Sequence, residues 1–340
     1  MLAFFNFQSM HIADMIKSKR ISTALCVLVS CLFSVLNAWA DTVMDVEYAE
    51  MQRLSADSML LDVIRVDHRL VAVGERGHVV FSDDGKTWQQ AEHVPTRSTL
   101  TSLFRVGDRL WAGGHDATVI TSGDRGTTWS RQNFQPDRQQ AIMDIHFTDK
   151  DHGVAIGSYG LVLTTADGGQ TWAEAAMVDE ESDYHLNSMV RFSDGRRMIA
   201  GEAGYSYRSS DDGETWEAMP MPYQGSMWGA LKTDAECVLF YGLRGHVLES
   251  CDFGSSWNEI NTGSESSVSG AAEYDDLVVL AANSGVLLIR DDASGFRTYH
   301  HSSGVDFSSV VSLGNGNFLM VGEDGVHRYP ETVNEGDGDE

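Results

Sequence analysis

The chain has 340 residues, with 50 acidic against 24 basic side chains and a formal net charge of −26. Nucleic acids and anionic lipid headgroups repel so acidic a chain, which argues against both as direct partners. Its 33 glycines recur in short turns between apolar runs, a pattern typical of a β-rich chain.

The first 40 residues have the pattern of a secretory signal. Three basic residues precede the apolar stretch 21–36, and an Ala-Trp-Ala tripeptide that ends at Ala40 has the small residues of a cleavage site. The apolar stretch is short for a membrane span. We therefore predict a cleavable signal peptide at 1–40, with Met15 as an alternative start, and a periplasmic or otherwise exported protein.

One motif recurs five times in the rest of the chain. Its pattern is Ser/Thr-x-Asp-x-Gly-x-Ser/Thr-Trp, and the copies lie at 82–88, which is one residue shorter, and at 122–129, 165–172, 209–216 and 250–257. Each copy follows a glycine hairpin, and such hairpins recur every 40 to 44 residues in seven units. A period near 40 residues indicates one small structural unit repeated along the chain.

Each unit contains short apolar runs of the kind that form strands. In the first unit, 61–66 alternates, 70–74 is continuously apolar, 78–82 alternates again and 87–91 follows the motif. Four strands in about 40 residues fit a propeller blade. We predict an all-β fold, a seven-bladed β-propeller of four-stranded antiparallel blades in a single domain at 41–330, with a solenoid as the alternative.

The two ends of the repeat region are expected to meet. The seventh unit, 307–329, has three candidate strands and is followed by an acidic tail, 331–340, that we predict to be disordered. Segment 43–54 precedes the first unit and is predicted to supply the missing outer strand. Pairing the ends in this way leaves no open sheet edge in the ring.

The positions that recur in the five copies of the motif suit structural roles. The glycine permits a positive φ, the aspartate accepts hydrogen bonds from turn amides, and the tryptophan packs on a neighbouring sheet. Five equivalent copies around a ring cannot converge on one metal or catalytic site. The predicted structural residues are Asp83, Asp124, Asp167, Asp211 and Asp252, with Trp88, Trp129, Trp172, Trp216 and Trp257.

Two cysteines remain after the signal peptide. Cys237 and Cys251 are each seven residues from Arg244, which lies in a hairpin. Adjacent antiparallel strands would place these cysteines nearly opposite each other, within disulfide reach. Export permits the bond, so we predict a disulfide, with two buried free thiols as the alternative.

The predicted topology locates a binding face. Hairpins between the second and third strands share a face with the loops between blades, whereas the repeated motifs lie on the other face. Varied loops suit recognition, and aromatic and arginine side chains dominate interfaces. The candidate partner-binding residues are Arg76, Arg97, Arg138, Arg244, Tyr223, Trp228 and His185.

These candidates have alternative interpretations. The four arginines would form a positive island for an acidic loop of a partner, or they are scattered solvated charges. Trp228 would be an interface residue, or it packs at a junction between blades.

The hairpin and motif together resemble a known family. The spacing Gly-x-x-Gly-x-(Val/Leu)-x-x-(Ser/Thr)-x-Asp-x-Gly-x-Thr-Trp, repeated between Met44 and Tyr329, is similar to that of the photosystem II stability/assembly-factor family of seven-bladed propellers. The motif alone, known as the Asp-box or BNR repeat, also occurs in sialidases. The sixth unit lacks the tryptophan and the seventh lacks the box.

The resemblance implies an exported scaffold that holds a membrane protein or complex during assembly or operation. We accordingly predict a non-enzymatic monomer that has no cofactor and no metal and does not insert into the membrane. Its predicted partner is an integral membrane protein or the exported domain of one.

A sialidase-like glycoside hydrolase or a glycan-binding propeller is the alternative. A sialidase requires an arginine cluster and a tyrosine paired with a carboxylate. The available candidates are Arg53, Arg97, Arg138 and Arg191, with Tyr184 beside Glu181 and Asp183. The pair His300-His301 has no third ligand at a recognisable spacing, which argues against a metal site.

Overall fold

The structure is a computed structural model that describes residues 46–175, 183–291 and 295–331. All the strands lie within one compact unit, Glu47–Glu340. The predicted signal peptide at 1–40 and residues 332–340 of the predicted tail lie outside the described residues.

The described residues form seven antiparallel sheets, which confirms the predicted seven-bladed, all-β propeller. Six sheets have four strands that pair in chain order. The strands of the first three blades are β1 (Leu60–Val66), β2 (Arg69–Gly74), β3 (Val79–Ser82) and β4 (Gln89–Gln90); β5 (Leu100–Val106), β6 (Arg109–Gly114), β7 (Val119–Ser122) and β8 (Ser130–Asn133); and β9 (Ile142–Phe147), β10 (Gly153–Gly157), β11 (Val162–Thr165) and β12 (Ala173–Glu174).

The other four blades continue the pattern, and the seventh has three strands within the described residues. Their strands are β13 (Leu186–Arg191), β14 (Arg197–Gly201), β15 (Tyr207–Ser209) and β16 (Glu217–Ala218); β17 (Met227–Lys232), β18 (Val238–Gly242), β19 (Val247–Ser250) and β20 (Asn258–Ile260); β21 (Val268–Tyr274), β22 (Leu277–Ala282), β23 (Val286–Arg290) and β24 (Arg297–His300); and β25 (Phe307–Gly314), β26 (Asn317–Gly322) and β27 (Gly325–Tyr329).

The core consists of apolar layers between neighbouring blades. The second strand of each blade is buried along nearly its whole length, as in Arg69–Gly74, because both of its faces are covered by adjacent sheets. The first strand of each blade contacts the first strand of the next, and β25 contacts β1. The ring is therefore closed by contact between the first and seventh blades.

The predicted closing strand is wrong for the described part of its segment. Residues 46–54 form no strand. Ala49 N donates to Val94 O at 2.9 Å, and Gln52 N donates to Gln90 Oε1 at 2.8 Å. This segment therefore lies along the outer edge of the first blade, and residues 43–45 lie outside the described residues.

A short 3-10 turn, Ser55–Asp57, follows that segment and packs against β27 of the seventh blade. The contact is close, because a Cβ placed on Gly325 would lie 2.0 Å from Ala56 O. Glycine at this position permits the backbone of the turn to approach the edge of the seventh blade.

The Asp-boxes connect the third and fourth strands through side-chain hydrogen bonds. Asp124 Oδ1 accepts from Thr127 N at 3.1 Å and from Thr128 N at 2.9 Å, while Ser122 Oγ accepts from Gly126 N at 2.9 Å. Equivalent bonds to a Thr or Ser four residues later are made by Asp167, Asp211 and Asp252.

The first box corrects one predicted residue. Asp84, rather than Asp83, accepts from Lys86 N at 2.8 Å and Thr87 N at 2.7 Å. Asp83 instead forms a two-point ion pair with Arg69, at 2.7 and 2.9 Å. The missing residue of this shorter copy follows the aspartate, so the spacing from Ser82 identifies Asp84 as the box residue.

The box tryptophans pack between blades. Trp129 lies in an apolar cluster formed by the first and second blades, and its Nε1 donates to Gly126 O at 3.0 Å. Trp88, Trp172, Trp216 and Trp257 belong to corresponding clusters. In the sixth blade, which lacks the tryptophan, Phe296 packs in the corresponding cluster.

Cys237 and Cys251 are joined, with their Sγ atoms 2.02 Å apart. Cys237 immediately precedes Val238 and Cys251 immediately follows Ser250, and Val238 and Ser250 are the last paired residues at one end of the β18–β19 pair. The disulfide thus closes the end of this hairpin that adjoins the fifth Asp-box.

Candidate partner-binding face

The hairpins between second and third strands lie on the same face as the loops between blades. For example, Glu75 N donates to Met59 O at 3.1 Å, and Gly204 N donates to Gly225 O at 3.1 Å. The Asp-boxes, which join third to fourth strands, lie on the opposite face because strands alternate in direction. We call these the loop face and the Asp-box face.

Each hairpin of the first six blades has two consecutive residues with a left-handed backbone, and the first of them is never glycine. These first residues, the hairpin tips, have φ between 53° and 61°. Glycine usually occupies a left-handed position, so each of these tips places a side chain at the apex of its hairpin. The tips are Arg76, Asp116, Tyr159, Ala203, Arg244 and Ser284.

Three of the four predicted arginines are close to carboxylates. Arg97 pairs with Glu50, Arg138 Nη2 lies 2.7 Å from Glu174 Oε2, and Arg76 Nε lies 3.8 Å from Glu75 Oε2. The side chain of Arg244 makes no ion pair with the described residues. Nearby carboxylates offset the charge of three of these arginines, which favours the alternative interpretation of scattered solvated charges.

Trp228 is not in a loop, which corrects its predicted position. It lies in β17, at a bulge between Met227 and Gly229, and lines the central channel. Strand β17 begins at Met227, so the loop before this strand ends at Ser226 and Trp228 lies within the strand. Tyr223 is half-buried and stacks on His246, with ring centroids 3.9 Å apart.

Four aromatic side chains form a cluster on the hairpins and loop of the third and fourth blades. Tyr184 stacks on Tyr205 at 3.9 Å between ring centroids, and Tyr159 meets His185 edge-on at 5.1 Å. We call Tyr159, Tyr184, His185 and Tyr205 the tyrosine patch. Of these four residues, the sequence analysis selected only His185 as a binding candidate, although aromatic residues beside the glycines of adjacent hairpins were a usable signal.

The central channel is a cavity of about 510 Å³ lined by the first strands of all seven blades. One residue of each strand lies at a bulge that interrupts pairing with the second strand. These residues are Leu61, Thr101, Met143, Asn187, Trp228, Ser269 and Ser308.

Polar side chains in the channel join neighbouring blades. Asp62 accepts from Leu103 N at 2.7 Å and from Ser309 Oγ at 2.8 Å, so it connects the first blade to the second and seventh. Asp144 accepts from Met189 N at 2.8 Å. These hydrogen bonds stabilise the ring, and they engage the carboxylate oxygens of Asp62 and Asp144.

Comparison with known proteins identifies the family. The family model described as photosynthesis system II assembly factor YCF48 matches residues 132–315, more than half of the chain. The chain belongs to this family. A model of the DUF6242 β-propeller domain also matches residues 39–184. The family predicted from the hairpin and box spacing is thereby confirmed.

Relatives of the family match part of the chain. Photosystem II stability/assembly factor HCF136 from Oryza sativa is 27% identical over 162 residues, covering 43% of this chain and 39% of that protein. Photosystem II assembly lipoprotein Ycf48 from Synechococcus is 31% identical over 136 residues, covering 38% of each. The matched segment thus spans about two fifths of these relatives' length.

Solved structures share the fold over most of the chain. YCF48 from Cyanidioschyzon merolae has a TM-score of 0.65 at 16% identity, covering 82% of this chain and 97% of that one. YCF48 bound to D1 peptide has a TM-score of 0.66 at 15% identity, covering 85% and 98%. Streptogramin B lyase has a TM-score of 0.70 at 11% identity, covering 83% and 96%. At these identities the similarity shows the fold alone.

The arginines considered for a sialidase-like site do not converge in this family member. Arg97 and Arg138 belong to the loop face, whereas Arg191 pairs with Asp212 beside the fourth Asp-box at 2.7 and 2.9 Å. Arg53 is exposed in the N-terminal segment, and Glu181 lies outside the described residues.

The described residues also bear on metal binding and on membrane insertion. Within residues 46–175, 183–291 and 295–331, no group of three or more His, Cys, Asp or Glu side chains is placed to hold a metal. His301 contacts Arg328 O at 3.2 Å. The same residues include no helix long and apolar enough to cross a bilayer.

A groove of about 1020 Å³ separates the third and fourth blades on the Asp-box face. Its wall includes Arg197, whose side chain is 1% exposed and donates to Asp212 Oδ1 at 2.8 Å and Thr148 Oγ1 at 2.9 Å. Burial lowers the pKa of Arg197, and hydrogen bonding to Arg191 is the main cause of the lowered pKa of Asp212. One carboxylate is therefore shared by two guanidinium groups.

We expect the stability contribution of Asp62 to depend on pH. Its surroundings in the narrow channel raise its pKa from 3.8 to about 6 through desolvation, so the folded state holds the proton more tightly than the unfolded state. Stability from this residue is greatest below pH 3.8 and is lost as the pH rises through 6. The free energy of unfolding of the Asp62→Asn variant, taken relative to that of wild type, should therefore rise by about 1 to 3 kcal/mol from pH 4.5 to pH 7.5.

Urea unfolding at both pH values measures this difference. Asp211→Asn is the matched control, because hydrogen bonds, chiefly from the Thr215 hydroxyl, lower the pKa of Asp211 to about 2. The stability that Asp211 contributes is present above pH 3.8 and is lost only as the pH falls through 2. The difference in unfolding free energy between Asp211→Asn and wild type should therefore be the same at pH 4.5 and pH 7.5. A constant difference for Asp62→Asn would contradict the prediction.

Proposed function

We propose that this protein is an exported, non-enzymatic scaffold or assembly factor that binds an integral membrane protein, or the exported domain of one, through its loop face. Membership of the assembly-factor family supports the general role. One relative is named as a lipoprotein, and one structural neighbour was solved with a D1 peptide. We further propose that the protein is a periplasmic or otherwise exported monomer that acts without a cofactor.

The observation that carries the proposal is the display of large side chains on a rigid face. Tyr159 is 54% exposed at a hairpin tip, Tyr205 is 37% exposed beside the next hairpin, and Arg76 and Arg244 occupy two other tips. Exposed aromatic and arginine side chains are the residues that most often dominate protein interfaces. Because the sheets hold the hairpins, binding would require little ordering of this surface.

Site-specific photo-crosslinking tests the proposal. A photoreactive amino acid at Arg76 or Arg244 reports on the loop face, and one at Gln170 or Glu214 reports on the Asp-box face. We expect both loop-face positions, and neither control position, to crosslink to an integral membrane protein in membranes from the source cells. Crosslinks confined to the control positions would contradict the proposal.

The glycosidase alternative has separate measurements. We expect no turnover of a fluorogenic sialoside and no specific binding on a glycan array. Turnover would support a sialidase-like enzyme, and specific array binding without turnover would support a glycan-binding propeller.

A further inference from the structure

We infer that the tyrosine patch is the docking site for a basic, arginine-bearing segment of the partner polypeptide. This inference rests on the proposed function, because it specifies the chemistry that the loop face would recognise.

The first observation is the concentration of exposed aromatic surface. Among the described residues, six large apolar or aromatic side chains are classed as exposed. Four of them lie in the N-terminal segment 48–59, and the other two are Tyr159 and Tyr205 of the patch. Phenol rings bury a large area at a small entropic cost and attract cations to their faces.

The second observation is the charge around the patch. Glu202 Oε2 lies 3.9 Å from His185 Nδ1 and accepts from His185 N, the Glu202 side chain is 40% exposed, and Asp183 is exposed immediately before Tyr184. Arg138, the predicted arginine in the loop before the third blade, is already paired with Glu174. The local charge is therefore complementary to a basic segment.

The charge of the whole chain favours the same occupant. At a net charge of −26, the protein attracts basic segments and repels acidic ones over about 8 to 10 Å at physiological salt. A second copy of this chain carries the same charge, so electrostatic repulsion disfavours it as the occupant.

Arginine fits the patch better than lysine. A planar guanidinium stacks on an aromatic face and forms two parallel hydrogen bonds to a carboxylate, whereas an ammonium group acts as a point charge. A guanidinium above Tyr159 or Tyr205 would meet a ring face, with the Glu202 carboxylate as a nearby acceptor.

Binding of defined peptides to the full chain tests this inference. The probes are peptides of alternating glycine with arginine, lysine, citrulline or glutamate, measured by titration calorimetry at two salt concentrations. The variants are Tyr159→Ser with Tyr205→Ser, the same pair changed to Phe, and Tyr48→Ser. Tyr48 is the matched control because it is 50% exposed in the N-terminal segment.

We expect the arginine peptide to bind most tightly and the citrulline and glutamate peptides not to bind. The double Ser variant should weaken binding about tenfold, because both cation–π contacts are lost. The double Phe variant, which keeps the ring faces, and Tyr48→Ser should bind like wild type. Unchanged thermal unfolding of the Ser variant excludes a folding defect.

Four outcomes would overturn the inference. Arginine-peptide binding that the double Ser variant leaves unchanged would reflect only the charge of the whole molecule. Tighter binding of the glutamate peptide would assign an acidic partner. Concentration-dependent dimers that the Ser changes abolish would assign the patch to a second copy. Loop-face crosslinks to a membrane protein without arginine-peptide binding would leave the proposed function standing and overturn this inference alone.

Discussion

The Asp212→Asn variant is expected to unfold with a free energy about 2 to 4 kcal/mol lower than wild type, which is below the range for a fully buried pair because the Asp212 side chain is 38% exposed. Asp212 is the carboxylate that faces the buried guanidinium of Arg197 and also pairs with Arg191. Removing its charge leaves Arg197, with its side chain 1% exposed, without an ionic partner. Asparagine is the appropriate replacement, because Asp212 has φ of 61° and asparagine tolerates this conformation.

Equilibrium urea unfolding near pH 7 measures the loss. Asp194→Asn is the matched control in the same blade: Asp194 pairs with Arg196, which also pairs with Glu236 at the surface. Solvent screens an exposed ion pair, so the control should lose little stability. Equal losses of unfolding free energy in the two variants would contradict the prediction that the buried guanidinium of Arg197 makes stability depend on Asp212.

Removing the disulfide is expected to lower the free energy of unfolding by about 3 kcal/mol. Cys237 and Cys251 are 14 residues apart, and closing a loop of about this size restricts the unfolded chain by that amount. The Cys237→Ala/Cys251→Ala variant should therefore unfold at lower urea concentration than oxidised wild type. Reductant should shift wild type toward the variant.

The double variant is its own control for the reductant, since its unfolding should not respond. Mass spectrometry after alkylation without reduction provides a second measurement, and we expect neither thiol to be modified. Alkylation of both cysteines, together with unfolding of wild type that ignores reductant, would contradict the prediction.

Features set by short segments were predictable from the sequence. The turns of the Asp-boxes depend on a serine or threonine, an aspartate and a glycine within eight residues, and Asp124 bonds only to neighbours in its own box. The alternating and continuous apolar runs identified strands for the same reason. Asp84 shows the limit of this reasoning, because a one-residue deletion left two adjacent aspartates to choose from.

Features that depend on neighbouring blades were not predictable in the same way. Asp62 bonds to Leu103 and Ser309, the latter 247 residues away. Trp228 lies at a strand bulge facing the channel, and the N-terminal segment pairs with the first blade rather than completing the seventh. Such contacts depend on which residues the closed ring brings opposite each other.

The sequence by itself determined the repeat, the number of blades, the all-β fold class and the face on which the hairpins lie, because each follows from periodicity and local turn chemistry. The tertiary structure decided which of those hairpin side chains act together. Tertiary packing placed Tyr159 next to His185 and Tyr184 next to Tyr205, and it placed carboxylates beside Arg97 and Arg138. Distances between blades are set by packing across the whole ring, and no single repeat contains that information.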